Sequence, residues 1–77
     1  MPLDGDLIIH NRVVRLAPLK HERTRMCRLA SDHMNAMVRN SMRGDDGAAF
    51  LHQHAAEQLL TAAERISREI DAMEAGV

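Results

Sequence analysis

The sequence predicts a mainly all-α protein: an antiparallel two-helix hairpin, preceded by a short extended N-terminal segment, that dimerises into a four-helix bundle. Three observations predict this fold. Two long segments show the apolar spacing of helices, a short break rich in Gly and Asp separates them, and large apolar side chains are scarce. A chain of 77 residues forms a single domain, residues 1–77.

The first segment, residues 1–17, is expected to be an extended arm. Residues 7–16 are rich in the β-branched side chains that favour strands. They predict one strand, or two short strands that turn at His10 and Asn11. Pro18 fits the first turn of a helix, where its missing N–H costs nothing.

Helix 1 is predicted over residues 18–43. At about 100° per residue, one sector collects most of its apolar side chains: Leu19, Met26, Leu29, Ala30, His33, Met34, Met37 and Val38. The opposite sector is basic, and we name it the arginine face: His21, Arg25, Arg28, Arg39 and Arg43.

The segment from Gly44 to Gly47 is predicted to end helix 1 and start helix 2. Gly44 can take the left-handed conformation that follows many helices, and Asp45 or Asp46 can cap the next helix. So short a connection makes the helices antiparallel neighbours. Helix 2 is predicted over residues 47–75, with an apolar stripe of Ala48, Leu51, His52, Ala55, Leu59, Ala62, Ala63, Ile66, Ile70 and Met73.

A homodimer is expected because one hairpin cannot cover these stripes. The chain has one aromatic residue, Phe50, and one cysteine, Cys27, so neither aromatic bulk nor an intrachain disulfide stabilises it. Small chains bury a low fraction of their surface, and a second copy would cover the rest. The residues predicted to form the dimer seam are Met26, Met37, Leu59, Ile66 and Ile70.

The charge pattern suits two segments packed side by side. Residues 1–43 carry eight Lys or Arg against four Asp or Glu, whereas residues 44–77 carry two against seven, which gives +4 and −5 and the net charge of −1. This net charge indicates no general attraction to nucleic acid or membranes. Without a segment of about 20 apolar residues or a secretory signal, we expect no membrane association and a cytoplasmic location.

No metal or cofactor is expected from the histidine spacing. His52 and His54 point about 200° apart on a helix and cannot chelate one ion. His33 and His52 both lie on apolar sectors, but in a hairpin that turns near Asp45 we expect them at different heights. The methionines with Cys27 are soft ligands for Cu(I), yet their spacing matches no known pattern, and core filling is the favoured interpretation.

The sequence offers no catalytic set, so we expect a protein that is not an enzyme. Cys27 could be a reactive thiol beside Arg23 and Arg28, but a buried position at the edge of the stripe is favoured. No nucleophile with its base, and no phosphate-binding loop, can be assembled.

Two functional hypotheses remain. The first is a small dimeric helical interaction protein that binds and modulates a protein partner. The second is a nucleic-acid-binding regulator that uses the N-terminal strand and the arginine face. The arginine face could contact phosphates or an acidic protein patch, although charged outer faces are common on helices that have no partner there.

Overall fold

The chain folds into a hairpin of two antiparallel α-helices in a computed structural model. The structure describes the backbone of residues 3–76 and the side chains of residues 14–76. Helix α1 spans Leu3–Met42 and helix α2 spans Asp46–Ala75, with no strand among residues 3–76. The molecule is a rod of 66 × 14 × 12 Å. The predicted helical hairpin is therefore confirmed.

The turn between the helices has the capping geometry that its residues predict. Gly44 has φ 81°, and its N–H donates to Ser41 O at 3.0 Å while Asp45 N–H donates to Asn40 O at 2.9 Å. These two bonds are a Schellman motif, which satisfies carbonyls at the end of α1. The Asp45 carboxylate accepts a hydrogen bond from Ala48 N at 3.1 Å. Asp45 therefore caps α2 while its own N–H closes α1.

The predicted extended arm is wrong, because α1 already includes residues 3–17 and Pro18 lies inside the helix. Lengthening an existing helix requires no new nucleus, whereas a strand requires a partner strand to supply its hydrogen bonds. The preference of Val and Ile for strands is too small to overcome that difference. Residues 1 and 2 of the predicted arm lie outside the described residues.

The hairpin is held by a seam of small side chains. The buried residues of α2 are Ala49, Ala56, Ala63 and Ile70, spaced seven apart, and Ala30 faces them from α1. A seven-residue spacing keeps one line of contact along two packed helices. Ile70, with 2% of its surface exposed, is the one large side chain in this core among residues 14–76.

The seam is rotated relative to the predicted stripe of α2. Ala49 and Ala56 were not assigned to that stripe, whereas Leu51 was and is 68% exposed. Alanines let the two backbones approach closely, so the contact line follows them and the larger aliphatic residues flank it. One neighbouring helix therefore covers only an edge of the apolar sector.

Two polar contacts link the middle of α1 to the half of α2 that lies far from the turn. Lys20 Nζ lies 3.0 Å from a Glu74 carboxylate oxygen, and Arg23 donates to Ser67 Oγ at 3.4 Å. The first joins the basic and acidic halves of the chain, but it is about half exposed and adds little stability. Within the described residues, neither helix contains a stretch apolar enough to cross a bilayer.

Candidate interaction surfaces

Beside the alanine seam lies a surface that we name the histidine face. Helical positions and partial burial define its members, contributed by both helices: Met26, Leu29, His33, Ala36, Ala48, His52, Ala55, Leu59 and Ile66. Except for Leu29, which is exposed, these side chains are half-buried. None of them is an Asp, Glu, Lys or Arg. Glu22, half-buried one turn beyond Met26, is a charged residue at the end of this side far from the turn. Between Met26 and the turn, the face is a strip without Asp, Glu, Lys or Arg that α1 and α2 leave partly open.

A contact between two histidines crosses this face. His33 Nδ1 lies 2.9 Å from His52 Nδ1, and the ring centroids are 5.1 Å apart with the planes tilted by 38°. The predicted difference in height exists, but it is small. His33 is nine residues from the end of α1 and His52 six from the start of α2, so their backbones differ by only about 4.5 Å in height. Two imidazole side chains span that offset.

The contact fixes how protons are distributed between the two rings. One Nδ1 must carry a hydrogen and the other must present a lone pair, because two N–H groups or two lone pairs would repel. The centroid separation is close to the nitrogen separation plus two ring radii, so both nitrogens point nearly along the line that joins them. The pair is therefore arranged to share one proton.

On the other side of the seam, near the turn, lies an apolar surface that we name the methionine groove. It consists of two adjoining depressions, of 270 and 190 Å³, that share Met37 and Gln53. The apolar residues that line it are Met34, Met37, Val38, Met42, Ala49, Ala56 and Leu60. Met42 is 84% exposed and Val38 51% exposed. The sequence placed Met34, Met37 and Val38 in an apolar stripe, but it did not single out Leu60.

The arginine face lies on the outside of α1, directed away from α2. His21, Arg25, Arg28, Arg39 and Arg43 are all exposed, and they extend over about 33 Å of helix. Arg25 is already bound to Glu22, with hydrogen bonds of 2.7 and 3.2 Å to the two carboxylate oxygens. The hydrogen bond from Arg25 lowers the pKa of Glu22, and the same contact raises the pKa of Arg25.

The residues predicted to form the seam between two copies of the chain divide into two groups. Met26, Met37, Leu59 and Ile66 are half-buried and retain surface that a second copy could cover. Ile70 is buried within the single hairpin, because its place in the seven-residue repeat directs it toward α1. Ile70 therefore offers almost no surface to another chain, and we remove it from the candidate seam.

Cys27 is exposed, so its predicted burial is wrong. Its position is about 60° around the helix from Ala30, outside the narrow contact line of the alanine seam. On the outer part of α2, Phe50 stacks on His54 with ring centroids 6.4 Å apart. Among the residues that the structure describes, no cluster of three or more His, Cys, Asp or Glu could hold a metal ion.

Comparisons with protein-family models, curated proteins and solved structures found no match to this chain.

Proposed function

We propose that this chain is a protein-interaction module: a helical hairpin that pairs with a second copy into a four-helix bundle and binds and modulates a protein partner. The observation that carries the proposal is the thin alanine core, which leaves every large apolar side chain of residues 14–76 except Ile70 at least partly exposed. A reducing cytoplasm is the setting we propose, because an exposed free thiol such as Cys27 persists there.

The exposed area supports pairing. The chain exposes 5906 Å², whereas a compact monomer of 8.6 kDa is expected to expose about 4,700 Å². The radius of gyration is 18.1 Å, against about 11.5 Å for a compact domain of this length. The excess area is about 1,200 Å² per chain, more than the roughly 800 Å² per partner that a specific interface of standard size buries.

The methionine groove is the surface we propose for the partner. Methionine side chains are flexible and polarisable, so they adapt to the shape of an apolar partner. Val38, Met42 and Leu60 add exposed aliphatic area beside them. Clustered exposed apolar side chains of this kind mark interaction sites.

The nucleic-acid hypothesis has lost one of its two supports, because residues 3–17 form a helix instead of a strand. The arginine face remains, but Asp32 lies within it and the sector contains no aromatic residue that could stack on bases. Protein binding is therefore the function that the surface favours. No arrangement of described side chains suggests catalysis, and we do not propose an enzyme.

Affinity capture from the native cell tests the proposal. We expect one protein partner that survives nuclease treatment, is lost with Val38→Asp, and is retained with Thr61→Asp, which places the same charge on the outer face of α2. If Val38→Asp leaves capture of the partner unchanged, the partner does not bind in the methionine groove. A salt-dependent DNA mobility shift that Arg28→Ala and Arg39→Ala abolish would favour the nucleic-acid hypothesis instead.

A further inference from the structure

We infer that the second copy packs on the histidine face, and that the proton shared by His33 and His52 makes this packing sensitive to pH. The inference rests on the proposed homodimer and adds which surface forms it and what controls it. Two apolar surfaces flank the alanine seam, the histidine face and the methionine groove.

The low charge of the histidine face favours it for self-association. In a two-fold dimer the same surface meets itself, so charges near the two-fold axis face charges of their own sign. Glu57 lies at the edge of the methionine groove, and Glu64 follows it by two helical turns along the same side of α2. The histidine face has one such residue, Glu22 beyond Met26, and it includes Ala36, Ala48 and Ala55, which allow another helix to approach closely.

The histidine pair responds to acid in two steps. In the neutral pair, one Nδ1–H donates to the other Nδ1 across 2.9 Å. A first added proton can go to the outer nitrogen of the donor ring, which keeps the bond and gives its donor a charge. A second proton must occupy the accepting Nδ1, so that two N–H groups of two cations face each other. The second step therefore breaks the contact.

The surroundings of the pair offer no counter-charge to the doubly protonated form. The residues one helical turn from either histidine are not titratable: Leu29, Ala30, Ala36 and Met37 on α1, and Ala48, Ala49, Ala55 and Ala56 on α2. The titratable residues nearest in sequence, Asp32 and His54, are exposed on the outer sides of their helices. A second copy packed on this face would also exclude water, which makes the two charges still less favourable.

The sign of the pH effect follows from this arrangement. The separated or unfolded chain can bind both protons, whereas the packed dimer resists the second, so acid favours separation. We expect the dimer to be stable near pH 8 and to weaken toward pH 5, the range in which histidine changes charge. If dissociation takes up one extra proton, the dissociation constant of the dimer rises about tenfold for each unit by which the pH falls.

Two pairs of variants and one mass measurement test the inference. Sedimentation equilibrium at pH 8 should show that Leu59→Asp dissociates the dimer while Leu60→Asp, its neighbour on the methionine-groove side, does not. Between pH 8 and pH 5 the dissociation constant should rise at least about tenfold for the wild type and for His54→Gln. It should change much less for His33→Gln, because an amide can donate to or accept from His52 in either protonation state.

Each outcome decides one part of the inference. Dissociation by Leu60→Asp as readily as by Leu59→Asp would overturn the assignment of the face. An unchanged pH dependence in His33→Gln would overturn the role of the histidine pair. A wild-type monomer at pH 8 would overturn the packing together with the proposed dimer. The urea midpoint of that monomer would then test the pair alone, since it should fall with pH in the wild type and not in His33→Gln.

Discussion

At the scale of single residues, Gly44 sets where α1 ends. Its φ of 81° is a conformation that residues with a Cβ rarely adopt, and a Cβ added there would meet nothing within 4 Å. The cost of substitution is therefore conformational and not steric. Both the glycine and the capping aspartate could be predicted from sequence, because the turn chemistry is local.

We predict that Gly44→Ala lowers the free energy of unfolding by about 1 kcal/mol. Gly47→Ala is the matched control: it lies in the first turn of α2 without positive φ, and an added Cβ would be 3.9 Å from an Asp45 oxygen. That change should be neutral or should stabilise the protein by a few tenths of a kcal/mol, up to about 1. Urea unfolding measures the free energy of unfolding of both variants. Equal effects of the two changes would contradict the positive φ of Gly44 in the turn.

Cys27 reports on which side of the rod a second copy lies. The thiol is exposed in the single hairpin, on the methionine-groove side of α1. We predict that it reacts with a thiol reagent in the native dimer at a rate close to that of the unfolded chain. Strong protection of the thiol in the native protein, lost on dilution to monomer, would place the second copy on the methionine-groove side. That result would contradict packing of the second copy on the histidine face.

At the scale of elements, the two helices and their antiparallel order followed from apolar spacing and the Gly/Asp break. The exact line of contact between the helices could not be predicted from the sequence. The apolar sector contains many alanines, so several rotations of one helix against the other fit the sequence equally well. The closest packing selected Ala49 and Ala56, and this rotation left Leu59 and Ile66 beside the seam. The same register brings His33 and His52 together, a contact between helices that no spacing within one helix reveals.

The start of α1 was misjudged because Pro18 is compatible with the first turn of a helix and with an interior position. Inside a helix, proline removes one hydrogen bond and strains the preceding turn. We predict that Pro18→Ala increases helical ellipticity and stabilises the protein by about 1–3 kcal/mol. Unchanged ellipticity and stability on circular dichroism would place Pro18 at a helix start and contradict the observed beginning of α1 at Leu3.

At the scale of the whole molecule, we propose that the hairpin leaves too much apolar area exposed to be stable by itself. Its core consists of alanines and Ile70, whereas ordering each residue costs about 1–2 kcal/mol of backbone entropy. Leu59→Asp places a charge on the half-buried histidine face. We predict that it lowers the stability of the dimer by several kcal/mol, on the order of 3, so that dissociation and unfolding coincide on chemical denaturation.

Sedimentation equilibrium of the wild-type protein at pH 8 and micromolar concentration tests the central claim most directly. We expect twice the chain mass of 8.6 kDa, together with a melting temperature that rises with protein concentration. A mass of one chain, with a cooperative melt independent of concentration, would show that the alanine seam is sufficient for one hairpin and would contradict the account.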